Sequence, residues 1–217
     1  NKSYQNTYLK MYKVNHDGEI IYNYQNSFND LDGNRVNEIT ETTDGYLVHL
    51  INREYNAKFV KINKDGILQQ KFSYEFSASC EAENYKYFFT NMIEFEGKLY
   101  LSGYSVPSSS NGSSGVEKII DQLMQMEITD ELVLSLFKQN FKAVLLVCDN
   151  EDGELSKFYS VDAGVGSNLR IEDDKLVWEV EYFITMGYSP FTSSFTFGGV
   201  TQVYNYIFDK DGKFLNA

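Results

Sequence analysis

The sequence predicts an all-β fold built from antiparallel four-stranded meanders, and three observations lead to this prediction. First, Asp-Gly pairs such as Asp65-Gly66 separate short hydrophobic runs, and glycine accepts the positive φ that tight hairpin turns require. Second, this turn pattern recurs along the chain. Third, the 217 residues include 17 Tyr and 16 Phe but 2 Pro, a composition typical of strands joined by tight turns.

Residues 34–74 contain one complete unit of two consecutive hairpins. The first turns at Thr43-Asp44-Gly45 and the second at Lys64-Asp65-Gly66. The first hairpin recurs around Glu96-Gly97 and Asp173-Asp174, and the second recurs at turns that end in Gly18, Gly66, Gly153 and Gly212. Once residues 105–140 are set aside, the period is about 50 residues, and four strands in such a period is the pattern of propeller blades.

The motif E-T-x-D-G-Y at residues 41–46, followed by F-V-K-I-N-x-D-G at residues 59–66, resembles the repeats of bacterial surface β-propeller proteins. In that family each repeat is one blade, with strands a to d. The resemblance implies a propeller-like array in a single domain, residues 1–217, and implies no particular chemistry. The chain starts with a c–d hairpin and ends with a complete blade, which makes about three and a half blades.

The elements follow from this unit in chain order. We expect a hairpin at 8–24, a loop at 25–34, four strands within 36–74, an acidic loop at 75–85, strands at 87–95 and 99–104, an insertion at 105–140, strands at 141–148 and 154–159, and a last blade from 168 to 215. The N-terminal hairpin supplies strands c and d alone, so an inner strand edge is left unpaired. We expect this hairpin to close a small ring against the last blade. The alternatives are that the natural protein has further residues upstream or that two chains pair, and we expect a monomer or a weak dimer.

The insertion at residues 105–140 is predicted to be a helical hairpin between strands b and c. It opens with a Ser- and Gly-rich linker. Apolar residues then recur at helical spacing over 116–127. Thr129 suits the N-cap of a second helix over 130–139, whose first turn carries two acidic residues that the helix dipole favours.

The predicted ligand face is the rim formed by the b–c and d–a connections. The a–b and c–d turns are tight, whereas all long segments fall on the other rim: residues 25–34, 75–85, 105–140, 160–167 and 186–199. We assign ligand binding there to Tyr188 and Phe191, which would stack on a sugar or a peptide if exposed, and to Asp30 and Asp32. We expect Phe195 and Phe197 to be buried, because their alternation is typical of a strand.

Asp30, Asp32 and Asn34 match the opening of a calcium loop, with Glu41 at its twelfth position. Arg35 occupies the position that needs glycine, and no flanking helix is predicted, so we favour a turn and expect no metal and no cofactor. Cys80 and Cys148 are the two cysteines. We expect Cys148 to be a core residue, with a Cys80–Cys148 disulfide as the alternative.

Composition and motifs exclude several classes of function. The net charge of −12 argues against nucleic-acid and anionic-lipid partners, and no apolar run reaches the length of a membrane span. His16 lies in a turn and His49 in a strand, and neither has a nucleophile motif beside it. Glu179 and Glu181 share one face of a strand, which is typical of a solvated face and also the arrangement of a glycosidase pair.

We therefore expect a secreted or cell-surface binding module without enzymatic activity, which binds a protein or a glycan. One alternative is a glycan-directed hydrolase that uses carboxylates on the long-loop rim. The other is an assembly protein that docks a partner chain through the helical insertion.

Overall fold

The structure is a computed structural model. It describes residues 8–27, 35–51, 57–73, 85–107, 129, 131, 132, 135, 138, 139, 141–150, 153–189 and 194–217.

The described residues form fourteen strands in four antiparallel sheets, and each sheet is a meander with its strands in sequence order. The strands are β1 (Tyr8–Val14), β2 (Ile20–Ser27), β3 (Arg35–Thr42), β4 (Gly45–Ile51), β5 (Ala57–Asn63), β6 (Leu68–Ser73), β7 (Tyr85–Phe95), β8 (Lys98–Pro107), β9 (Lys142–Asp149), β10 (Leu155–Asp162), β11 (Val165–Glu172), β12 (Lys175–Ser189), β13 (Ser194–Phe208) and β14 (Phe214–Asn216). One sheet pairs β1 with β2, and the others hold β3–β6, β7–β10 and β11–β14. The prediction of an all-β fold of antiparallel meanders is confirmed.

Three of the c–d turns share one hydrogen-bonding scheme, which explains why their sequence recurs. Asn63 Oδ1 accepts hydrogen bonds from the backbone N–H of Asp65 (3.0 Å) and Ile67 (2.8 Å). Asn15 and Asp209 accept the same pair of bonds in their own turns. The glycine that follows has a positive φ of 68° to 82° in every such turn. The turn after Asp149 carries the one extra residue that its sequence predicts.

The a–b turns have two different backbone conformations. Glu96-Gly97 and Asp173-Asp174 have positive φ at both central residues, as a type I′ hairpin turn requires. The third turn differs from the prediction, because Gly45 belongs to β4 and pairs with Asn63. Its lack of a side chain is needed for close approach, since a Cβ there would lie 2.0 Å from the carbonyl oxygen of Ile62.

Two of the five predicted long connections are wrong. The loop predicted at residues 160–167 is a two-residue link, because β10 continues to Asp162 and β11 begins at Val165. The loop predicted at 186–199 is instead the end of a long β12–β13 hairpin, paired as far as Ser189 and Ser194. Its many Ser, Thr and Gly residues alternate with aromatic residues, and cross-strand pairing favours the extended conformation there. The other three predicted loops lie largely outside the described residues.

The helical hairpin as a whole also lies outside the described residues. Glu131, Leu132, Ser135, Lys138 and Gln139 are helical. The backbone N–H of Leu132 donates to Thr129 Oγ1 at 3.2 Å, which is the bond expected of an N-cap.

The chain divides into two compact units, Asn1–Glu75 and Phe76–Ala217. In the first unit, one face of the β3–β6 sheet carries the buried residues Val48, Leu50, Val60 and Ile62, against which Met11 of β1 packs. This contact places β1 against that face of the sheet.

In the second unit, the β7–β10 and β11–β14 sheets pack face to face. Their shared core contains Phe95, Tyr100, Ala143, Leu145, Val147, Leu169, Leu176, Trp178, Val180 and Phe208. Trp178 Nε1 donates to Ser102 Oγ at 2.8 Å, and Thr90 Oγ1 donates to the Gly166 carbonyl at 2.7 Å, so both sheets are also joined by hydrogen bonds. The opposite face of the β7–β10 sheet is buried too and carries Met92, Leu99, Leu101, Val144 and Leu146.

The c–d turn of the last sheet is held by side chains of the preceding one. The Asp211 carbonyl accepts hydrogen bonds from Lys98 Nζ (3.2 Å) and Lys157 Nζ (2.6 Å). Tyr159 donates its hydroxyl to the Gly212 carbonyl at 2.7 Å. These bonds fix the tight-turn ends of the two sheets to each other.

Candidate binding surface

The residues predicted to bind ligand are not brought together by the part of the chain that the structure describes. Asp30, Asp32 and Phe191 lie outside it. Tyr188 lies in β12 opposite Phe195, so it belongs to a strand and not to a loop, and its side chain is outside the description. Glu41, the proposed twelfth calcium ligand, is an exposed residue of β3 opposite Tyr46.

His49 is a buried core residue of β4 and lies 1% exposed. Its ring stacks on Phe59, with ring centroids 4.8 Å apart and an angle of 13° between the planes. Asn37 Nδ2 donates to His49 Nδ1 at 3.2 Å. Burial lowers the pKa of His49 to about 4, so the ring is neutral at physiological pH.

Glu179, one of the two candidate glycosidase carboxylates, forms an ion pair with Arg170. Arg170 Nη1 donates to Glu179 Oε2 at 2.8 Å, and Ser167 Oγ donates to Glu179 Oε1 at 3.3 Å. Arg170 Nε also pairs with Glu172 at 2.7 Å, and this contact helps to raise the pKa of Arg170. Both carboxylate oxygens of Glu179 are therefore already engaged by side chains of its own sheet.

Within the described ranges, no group of three or more His, Cys, Asp or Glu side chains is arranged to hold a metal ion. Among the same residues, no helix has both the length and the apolar character needed to cross a membrane.

An open groove with a volume of about 320 Å³ lies in the first unit, along β1. The described residues that line it are Lys10, Met11, Tyr12 and Lys13 of β1, with Ile39 of β3 and Tyr46 of β4. Consecutive residues of a strand point to opposite faces. A groove that contacts four consecutive residues therefore follows the edge of β1 and does not lie over one face of it.

The wall opposite β1 is apolar and exposed. Ile39 pairs with Val48, and Tyr46 pairs with Ile62, so both belong to the face of the β3–β6 sheet on which Met11 packs. Ile39 nevertheless remains 47% exposed and Tyr12 across the groove 53%. On this face Val48 and Leu50 of β4 are buried, whereas Ile39 of β3 stays exposed beside the groove.

The edge of β1 is unpaired among the described residues, because its sheet contains β2 as the other strand. The sequence predicted this open edge from the missing a and b strands of the first blade. It did not identify the lining residues, because Ile39 and Tyr46 belong to a different sheet. The available signal was the run of Lys, Met, Tyr and Lys at residues 10–13.

Comparison with known protein families finds no match for this chain. No curated protein matches it either. Among solved structures, a threonine-to-alanine mutant of Synechocystis ACO has a TM-score of 0.46 and 12% identity, covering 95% of this chain and 43% of the other. A cobalt-substituted Synechocystis ACO has a TM-score of 0.44 and 14% identity, covering 92% of this chain and 42% of the other. This chain therefore spans less than half of those chains.

Proposed function

We propose that this chain is a non-catalytic binding module, secreted or held at the cell surface, and built as a propeller-like array of blades. The propeller proposal is supported by the three four-stranded meanders in sequence order and by the face-to-face packing of β7–β10 on β11–β14. It is further supported by the resemblance of the repeats to those of bacterial surface propellers.

The observation that carries the binding role is the exposed groove along β1. Monomeric proteins seldom expose contiguous apolar surface without a use for it, and here Tyr12 and Ile39 face each other across an open channel. A channel along an unpaired strand edge suits an extended polypeptide better than a compact sugar, because backbone groups are available on one wall. We therefore favour a protein ligand over a glycan.

The hydrolase alternative finds less support in the described residues. Glu179 is held by Arg170, and His49 is buried in the core. The assembly alternative depends on the helical insertion and on residues beyond the described ranges, and it stays a proposal.

A binding selection tests the proposed function. The full chain is immobilised and challenged with a displayed library of random peptides and, separately, with a glycan array. We expect the library to enrich peptides that bind the wild-type chain and not Ile39→Glu, which places a charge in the apolar wall. Ile67→Glu is the matched control, because Ile67 is an exposed residue of the same unit and does not line the groove.

Two results would contradict the proposal. One is enrichment of peptides that bind Ile39→Glu and wild type equally, which would place recognition elsewhere on the chain. The other is turnover of a glycan substrate by the purified chain.

A further inference from the structure

We infer that the groove along β1 takes an acidic, extended segment of a partner protein, which adds to the edge of β1 as a new strand. This inference rests on the proposed function and specifies the chemistry of the partner. It is carried by three observations: the unpaired edge, the apolar wall beside it and the charge of the groove.

The unpaired edge provides the main-chain part of the site. β1 pairs with β2 over seven residues, from Tyr8↔Ser27 to Val14↔Ile20, so its backbone is already held extended. Strand addition to such an edge uses backbone hydrogen bonds for affinity and alternate side chains for specificity. The β1–β2 sheet has two strands, whereas each of the other sheets has four. The position beside β1 is therefore open among the described residues.

The apolar wall provides the side-chain part. A strand added beside β1 would lie over Ile39 and Tyr46. These residues belong to the face of the β3–β6 sheet that Met11 already contacts. Every second side chain of the added strand would point at this wall. Apolar residues at these alternate positions would bury the exposed surface of Ile39, which removes apolar area from water and favours binding.

The positive charge of the groove determines which residues suit the remaining positions of the added strand. Lys10 and Lys13 line it, whereas the chain as a whole has a net charge of −12. Neither lysine forms an ion pair among the described residues, and none of the described lining residues is acidic. By strand alternation Lys10 lies on the face opposite Met11 and Lys13 on the same face as Met11. Acidic residues at the solvent-facing positions of the added strand would meet Lys10, while Lys13 adds to the positive charge of the groove, and this complementarity speeds association and rejects basic segments.

The same lysines disfavour a second copy of this chain as the occupant. Two β1 edges that paired with each other would gather Lys10 and Lys13 from each copy along a single short strand pair. Like charges close together across a strand pair are destabilising, and charged residues at sheet edges prevent self-association in this way. The site is therefore protected from its own copies and open to an acidic partner.

The probe for the test is a fluorescein-labelled nonapeptide of alternating valine and glutamate, titrated with the full-length protein. We expect binding that weakens as salt rises from 50 to 500 mM, because exposed charge pairs are screened. The double variant Lys10→Glu/Lys13→Glu should lose about tenfold or more in affinity, since attraction becomes repulsion. Lys64→Glu, an exposed turn lysine of the same unit, should change affinity less than about twofold.

Two control peptides separate strand addition from simple charge attraction. A valine–lysine nonapeptide should not bind. The acidic peptide N-methylated at alternate residues, which cannot donate hydrogen bonds along one edge, should bind at least about tenfold more weakly. In hydrogen exchange, the acidic peptide should slow the backbone amides of residues 10–13 in the wild-type protein.

Several results would overturn the inference: no binding of the acidic peptide at 1 mM, equal binding by the charge-reversed variant, equal binding of the N-methylated peptide, or a β1-mediated dimer in light scattering. A library selection that enriches groove-dependent peptides without acidic residues would also overturn it while leaving the proposed function intact.

Discussion

Gly166 shows how one absent side chain permits the close approach of two sheets. A Cβ at this position would lie 2.3 Å from Ser102 Oγ, 2.8 Å from Trp178 Nε1 and 2.9 Å from the Gly103 carbonyl oxygen. These atoms belong to β8 and β12, and Trp178 and Ser102 are hydrogen-bonded to each other. The Gly166 carbonyl also accepts the Thr90 hydroxyl, so any shift of β11 disturbs two inter-sheet bonds.

We predict that Gly166→Ala lowers the free energy of unfolding by roughly 2–4 kcal/mol, because overpacking is combined with disruption of a buried hydrogen bond. Gly97→Ala is the matched control. Gly97 has nothing within 4 Å of a built Cβ, so the substitution there costs about 1–2 kcal/mol of left-handed backbone strain alone. Urea unfolding followed by Trp178 fluorescence measures both, and equal losses would contradict the packing argument.

His49 makes the stability of the first unit depend on pH. The folded protein holds its pKa at about 4, below the 6.5 of an unfolded histidine. The unfolded state therefore binds a proton first as the pH falls. The contribution of His49 is fully present above pH 6.5 and is lost between pH 6.5 and 4, by up to about 3 kcal/mol.

We predict that His49→Phe flattens this part of the pH dependence, since phenylalanine keeps the stack on Phe59 and takes up no proton. His16→Asn is the control, because it removes the other histidine of the chain from an exposed turn of the same unit. Urea midpoints at pH 4.5, 5.5 and 7 measure the effect. A wild-type slope in His49→Phe would show that other groups cause it.

For single residues, the sequence predicts the secondary structure better than the tertiary contacts. It placed His49 in a strand, which β4 confirms, because the strand pattern is local. Its burial against Phe59 depends on the pairing of β4 with β5. The need for glycine at position 166 depends on a neighbouring sheet that is distant in sequence, so no local pattern predicts it.

At the scale of the elements, the recurrent c–d turn is the best-predicted feature of the molecule. Its Asn or Asp, its central Asp and its Gly each have a local physical role, and the side-chain oxygen accepts two backbone N–H groups within four residues. Because these bonds are local, the turn can be predicted from the sequence.

We predict that Asn63→Ala destabilises the first unit by about 2 kcal/mol, because two backbone N–H groups lose their acceptor. Asn63→Asp should restore most of that loss, since Asp209 accepts the equivalent bonds in the last sheet. Thermal unfolding by circular dichroism compares the three proteins. If Asn63→Asp were as unstable as Asn63→Ala, the side-chain oxygen would not be the group that holds the turn.

The β12–β13 hairpin shows where local reasoning fails. Its last paired residues, Tyr188↔Phe195 and Ser189↔Ser194, lie in a segment whose Ser, Thr and Gly content favoured a loop. The pairing register is set by the whole hairpin, and each arm has fifteen residues. The strand pairing near Trp178 therefore continues to the end of the hairpin.

At the scale of the whole molecule, β8 and β9 pair closely at the point where the insertion leaves the sheet. Ser105 lies opposite Lys142, so the chain leaves and re-enters at neighbouring positions. Strand neighbours lie about 5 Å apart, and a short linker can span that distance.

We therefore predict that replacing residues 108–139 by a short glycine linker leaves a folded β-protein. Far-ultraviolet circular dichroism and the fluorescence of buried Trp178 should keep their folded signatures. Global unfolding would show that the segment forms part of the core. A version with the same residues replaced by an unrelated helical hairpin serves as a control for the linker itself.

Closure of a ring by the N-terminal hairpin remains a prediction, and the outer face of the last sheet is unfavourable to it. That face carries Arg170, Glu179 and Asn205, joined by ion pairs and hydrogen bonds, while Trp178 points to the other side. Covering it with another sheet would desolvate the Arg170–Glu179 pair, which costs free energy.

The groove along β1 also bears on how many molecules an assembly would contain. A filament grows when each subunit offers two complementary surfaces, so that every addition creates a new growing end. On the inference above, each chain takes one partner segment in the groove along β1. We therefore expect complexes of fixed, small stoichiometry where a two-ended repeat protein would polymerise.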